Sequence, residues 1–155
     1  MKEKVKKTRF FILIFIFAFL SYLLWFLIRP VKIVAVHKDG HFSSVLVRNF
    51  PFTDRGKINW WLKNKEMLKT RYGIPESDPN GDFYITFWIF GEGYKEEGKY
   101  DRRCFDDMKT KVNCIEKNAV FSVNNDSRNR IHFTVFDGGD YLLKNSGEVV
   151  KYEYK

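Results

Sequence analysis

The sequence predicts an α+β fold: an N-terminal transmembrane helix followed by a small domain with a mostly antiparallel β-sheet packed on one principal helix. Three observations predict it. Phe10–Ile28 is an apolar run of 19 residues without a charge. Asp54–Tyr72 carries an apolar stripe at helical spacing, between a capping residue and a glycine stop. Short runs of β-branched and aromatic residues, separated by Asn, Asp and Gly turns, fill much of the remaining chain.

As a helix the apolar run spans about 28 Å, close to the hydrocarbon thickness of a bilayer. In lipid a helix satisfies its own backbone groups, whereas in water this one would expose Phe, Ile and Leu all round. A cleaved signal peptide would have a shorter apolar core and small residues at its cleavage site. Trp25, Phe26, Leu27 and Ile28 occupy that place instead, so an uncleaved anchor is expected. Lys2, Lys4, Lys6, Lys7 and Arg9 precede the run against the single acid Glu3. Short basic flanks stay in the cytoplasm. The expected organisation is a cytoplasmic tail at 1–9, a membrane helix at 10–28 and a periplasmic domain at 29–155. Tyr22 and Trp25 fit the aromatic belt at the outer interface, with Arg29-Pro30 closing the span.

The chain carries 27 Lys+Arg and 19 Asp+Glu, a net charge of +8. Half of that excess lies in the first nine residues, where it sets topology. The other half lies in 54–72, so the rest of the outer domain is neutral and the basic patch is one helix wide. With the orientation above, nucleic acid is not an expected partner. The outer segment is long enough, and aromatic enough, for one domain with its own core.

In order, Val31–His37 and Ser44–Phe50 form a hairpin around Asp39-Gly40. Pro51 ends the second strand, and Thr53 or Asp54 caps a helix running to Tyr72. Gly73 stands at the left-handed stop, and Pro75 prevents continuation. Ile58, Trp61, Leu62, Leu68 and Tyr72 form its inner stripe, which Lys65 and Lys69 interrupt. Trp60 and Met67 are expected on the opposite face, with Asn64 between them. Phe83–Phe90 is apolar on both faces, so it is expected to be a central strand covered on both sides. Tyr94–Phe105 is a half-exposed strand, and Asp106–Cys114 a loop or short turn. Ala119–Val123, Ile131–Phe136, Asp140–Leu143 and Val149–Tyr154 are short strands whose tight connections require antiparallel neighbours. Cys104 and Cys114 lack CxxC spacing and have no histidine beside them, which weakens a metal or redox role. In an oxidising compartment they are expected to form a structural disulfide.

Arg29-Pro30-Val31 with Ile33–His37, Asn49-Phe50-Pro51, Gly56–Trp61, Tyr72–Pro75, Gly93–Glu97 and Cys104–Met108 together resemble one family. It is the enterobacterial membrane-protein family called domain of unknown function nine-four-three. The likeness covers nearly the whole chain. It implies a small single-pass inner-membrane protein of a Gram-negative bacterium, and it brings no catalytic residues or cofactor.

No phosphate loop, dinucleotide fingerprint, HExxH or nucleophile elbow is present, and no cofactor is expected. His37 and His41 flank a turn. Ser43 and Ser44 lie beside His41, yet catalysis there needs an orienting acid and an oxyanion site. Glu96-Glu97 and Asp106-Asp107 are adjacent pairs, and neighbours on a strand face opposite ways. Turn capping is the expected role of Asp106 and Asp107. The candidate binding residues are Lys57, Lys63, Lys65, Lys69 and Arg71 around Trp60 and Met67. Such a surface suits anionic lipid or an acidic protein. Two functions are expected to compete. One is an anchored interaction domain that binds the bilayer and an envelope protein, as an inhibitor or as immunity against a toxin acting in the periplasm. The other is an envelope glycan binder or enzyme using the aromatic residues and the Asp106/Asp107 loop.

Overall fold

A computed structural model of the chain describes residues 2–153. The described chain forms two compact units that divide after Pro30. In the first, helix α1 runs Lys2–Leu27 and takes in the basic flank. Within it Lys6–Phe26 is long and apolar enough to cross a bilayer. Its large apolar side chains, Phe15 and Phe17 among them, are exposed all round. At its end the Arg29 guanidinium lies 3.8 Å from the centroid of the Trp25 ring, a cation–π contact suited to an interface.

The second unit follows from its punctuation. β1 (Lys32–Asp39) and β2 (Phe42–Arg48) form the expected hairpin. β2 ends earlier than expected because Asn49 adopts φ 56°, which turns the chain and lets Phe50 bury. Thr53 Oγ1 then accepts from Gly56 N at 3.0 Å and starts α2 (Asp54–Tyr72). Gly73, at φ 67°, donates to Lys69 O in the manner of an αL cap, and Ile74 N donates to Leu68 O, so the last carbonyls of the helix are satisfied. α2 is the crossover between β2 and β3 (Tyr84–Ile89), and these two strands pair in parallel. The other strands are β6 (Ala119–Asn125), β7 (Ile131–Val135), β8 (Asp140–Leu143) and β9 (Val149–Tyr152). The sheet order is β1-β2-β3-β6-β7-β8-β9, and every pairing except β2–β3 is antiparallel. α+β therefore holds. The expected end of the last strand at Tyr154 lies outside the described residues.

Between β3 and β6 the chain makes an excursion of its own. The expected strand over 94–105 contracts to β4 (Arg102–Cys104), which pairs with β5 (Cys114–Glu116). Gly98, at φ 57°, breaks the stretch before β4. Cys104 and Cys114 face each other in register and are disulfide-bonded.

Pleating divides the central strands between two cores. Val45 and Val47 of β2, Ile85 and Phe87 of β3, and Phe121 and Phe133 pack under α2. The helix adds Ile58, Trp61 and Leu68 to that layer. Leu46 points the other way, onto Phe105 and Ile115 of the bridged lobe, with Trp88, Phe90 and Tyr94 around them. β3 is thus covered on the helix side, whereas the bridged lobe covers the other side only towards Trp88 and leaves Tyr84 42% exposed.

At the start of α2, Asp54 Oδ2 accepts from Tyr141 Oη at 2.7 Å and from Gly139 N at 3.2 Å. These bonds pin the helix to the β7–β8 turn. A Cβ on Gly138 would overlap that carboxylate. Gly138→Ala is expected to displace Asp54 and cost about 1–3 kcal/mol, the scale of charge-assisted hydrogen bonds. A thermal melt of the variant beside Asp54→Asn checks it, since the double change should cost little more than either alone.

Candidate functional site

The basic residues expected to frame one surface are dispersed. Lys57 is buried, and its Nζ donates to Phe52 O at 3.1 Å. Trp60 meets Phe50 and Phe87 edge to face, with ring centroids 5.4 and 5.7 Å away. Met67 packs on the same core. Lys63, Lys65, Lys69 and Arg71 are exposed, but Lys69 Nζ donates to Pro75 O and the Arg71 guanidinium lies over Tyr72. The aromatic anchor and the cations therefore do not share one surface. A helix laid on a broad sheet buries a wide arc, so the flanking Trp60 and Met67 join the core. The Lys57 stem follows them while its ammonium reaches a carbonyl.

A different constellation forms on the opposite face of the sheet. His37 lies on β1, paired in register with Ser44, and is 8% exposed. Its Nδ1 stands 2.9 Å from both carboxylate oxygens of Asp107, and its Nε2 stands 2.8 Å from Tyr94 Oη. The ring stacks on Phe105 at 3.9 Å between centroids. In the neutral ring these contacts place the proton on Nδ1, facing the carboxylate, while the Tyr94 hydroxyl donates to Nε2. Burial, and then the Asp107 charge, push the Tyr94 pKa up, so the phenol keeps its proton. Asp107 thus orients a histidine instead of capping a turn, which corrects the expectation for that residue. Asp106 lines the same small recess, of about 110 Å³, together with Asp39.

With both ring nitrogens engaged, neither is left for Ser44. Ser43 Oγ is buried without a partner, so neither serine joins a histidine as a nucleophile pair. His41 lies against Phe42, with ring centroids 4.1 Å apart, at the hairpin tip. His132 Nε2 is 3.2 Å from Asp126, inside the β6–β7 turn. Glu96 and Glu97 contribute backbone carbonyls to Arg102 Nη1. Among the described residues no group of three His, Cys, Asp or Glu side chains is placed to hold a metal.

Tyr94→Phe is expected to cost about 1–2 kcal/mol, because it leaves the buried Nε2 without its donor. It also has a pH signature. A phenol whose folded pKa is raised contributes stability that is complete below the ordinary tyrosine pKa of 10.0 and lost as pH rises through the folded value. Denaturation against pH should lose that alkaline component in the variant.

Beside the histidine a larger recess of about 400 Å³ opens between β2–β3 and the bridged lobe. Phe42, Ser44, Tyr84, Thr86 and Trp88 line its sheet side, and Arg103 and Lys117 line its lobe side. Its size is in the range of small ligand sites. Trp88 Nε1 and Arg103 Nε are buried donors without acceptors, which folded proteins seldom leave. The sequence pointed to neither Trp88 nor Arg103. The available signal was the doubly apolar strand at 83–90 and a bridge that returns the lobe across it.

No curated protein and no solved structure matches the chain. One family model does, over residues 2–153, and its description is "Enterobacterial putative membrane protein". No activity is assigned to that family. With its N-terminal apolar helix and nearly full-length match, the chain belongs to the enterobacterial membrane protein family DUF943.

Proposed function

We propose that this is a single-pass inner-membrane protein whose N-terminus is cytoplasmic and whose domain, residues 29–155, works in the periplasm by binding another envelope protein. An inhibitor, or an immunity factor against a toxin acting there, is the form that fits a small tethered domain. The disulfide and the cations at the start of α1, ahead of its apolar run, support the orientation. The single observation that carries the binding reading is the recess between β2–β3 and the bridged lobe, lined by Trp88 and Arg103, whose Nε1 and Nε are buried without acceptors.

Photo-crosslinking in cells tests it. A photoreactive residue at Thr86, inside the recess, should give a discrete protein adduct, and one at the exposed Glu148 should not. The same adducts from both positions, or none from Thr86, would contradict the proposal.

The glycan-binding or enzymatic reading has one observation in its favour: His37, Asp106 and Asp107 gather at one recess. It requires His37 Nε2 to be released from Tyr94 during turnover. Under that reading His37→Ala abolishes cleavage of an envelope glycan; under the binding reading there is no turnover to lose.

A further inference from the structure

Arg103 differs from the other cations of the bridged lobe. Lys95 pairs with Glu92 and Glu116, Arg102 with Glu116, and Lys117 with Asp101. Lys99, Lys109 and Lys111 have no carboxylate partner among the described residues, but all three are exposed. Arg103 is half-buried, has no carboxylate partner among the described residues, and holds its Nε–H buried without an acceptor. Its guanidinium rests 5.7 Å from the Phe105 ring centroid. A partly desolvated guanidinium without an anion is a costly arrangement, and its planar fork matches a carboxylate.

Resting on the protein-binding reading above, we propose that the recess beside Arg103 takes a single acidic side chain of a partner polypeptide, with its carboxylate on the Arg103 guanidinium and its apolar neighbours on Phe42 and Tyr84. Phe42 is 47% exposed and Tyr84 42%, and their rings stack on each other at 5.2 Å. They form an apolar edge beside the charge. Asp39 lines this recess too, and Asp106 and Asp107 line the adjoining one. These carboxylates repel every added negative charge, so several charges together are opposed more strongly than one. The site therefore selects an isolated carboxylate over a phosphate chain or another polyanion.

NMR of the full chain in detergent micelles reads this directly, through the Arg103 Nε–H and Trp88 indole N–H cross-peaks. The probes are acetyl-Leu-Glu-Leu-amide, its Gln counterpart and digalacturonate. The expected result is a saturable shift of both signals with the Glu peptide alone, and an affinity about tenfold or more weaker in Arg103→Gln, read there on the Trp88 indole. Arg103→Lys keeps the charge and stem, so it guards against a folding defect, and it should bind several-fold weaker than the native chain. Unmoved Trp60 and Trp61 indole signals report an intact core in each variant. Equal binding of the Glu and Gln peptides overturns the carboxylate inference and leaves the protein-binding reading standing. Binding of digalacturonate but of neither peptide overturns both. No saturable shift with any probe overturns the inference, while crosslinking from Thr86 still decides the broader reading.

Discussion

Phe87→Ala is expected to cost about 3–5 kcal/mol, the range for deleting a buried aromatic ring. Phe87 is 0% exposed and sits at the centre of an aromatic layer. Phe50 stacks on it at 5.1 Å, Trp60 meets it edge-on at 5.7 Å, and Phe121 lies 5.5 Å away. The variant therefore leaves a cavity where the helix, the hairpin and the middle of the sheet converge. Net stabilities of domains are about 5–15 kcal/mol, so much of the total is at stake. Urea denaturation of the full chain in micelles, followed by tryptophan fluorescence, measures it. Phe136→Ala, at the exposed β7–β8 turn, is the control and should stay within about 0.5 kcal/mol.

The second large effect is expected from the bridge. Cys104 and Cys114 are separated by 10 positions, and the chain-entropy model gives about 2.5–3 kcal/mol for closing such a loop. Replacing both by Ala should lower the denaturation midpoint accordingly, and adding reductant to the native chain should lower it by a similar amount. The bridge also holds the recess together. Arg103, Phe105 and Asp107 lie on or between the bridged strands, so the double variant should lose the His37–Asp107 contact while the layer under α2 keeps its packing. The His37 ring resonances report the first, and the Trp61 indole signal reports the second.

Local chemistry is what the sequence makes legible. The Thr53 and Gly73 stops of the helix, the doubly apolar strand at 83–90, the hairpin around Asp39-Gly40 and the Cys104–Cys114 pair each follow from a few adjacent residues. Non-local pairings are a different matter. His37 and Asp107 are separated by 70 positions, and no short-range pattern links them. The signal was faint: His37 follows Ala35 on one face of β1, the face that Leu46 shares. The parallel β2–β3 pairing is equally non-local, although a 19-residue helix between the strands is the kind of crossover that permits it. Trp60 and Met67 were misplaced for another reason. Lys65 and Lys69 interrupt the apolar stripe on the helix, so the buried arc reads narrower than it is. Lys57 misleads separately, as a lysine whose stem belongs to the interior.

In the proposed arrangement α1 stays in the bilayer and leaves the disulfide-bonded domain in the periplasm. Paired C-terminal fusions test it most directly, one to alkaline phosphatase, which folds only in the periplasm, and one to green fluorescent protein, which fluoresces when made in the cytoplasm. Both fusions should fractionate with the inner membrane, with high phosphatase activity and no fluorescence. Bright fluorescence with inactive phosphatase, or a shortened and soluble phosphatase fusion, would contradict it.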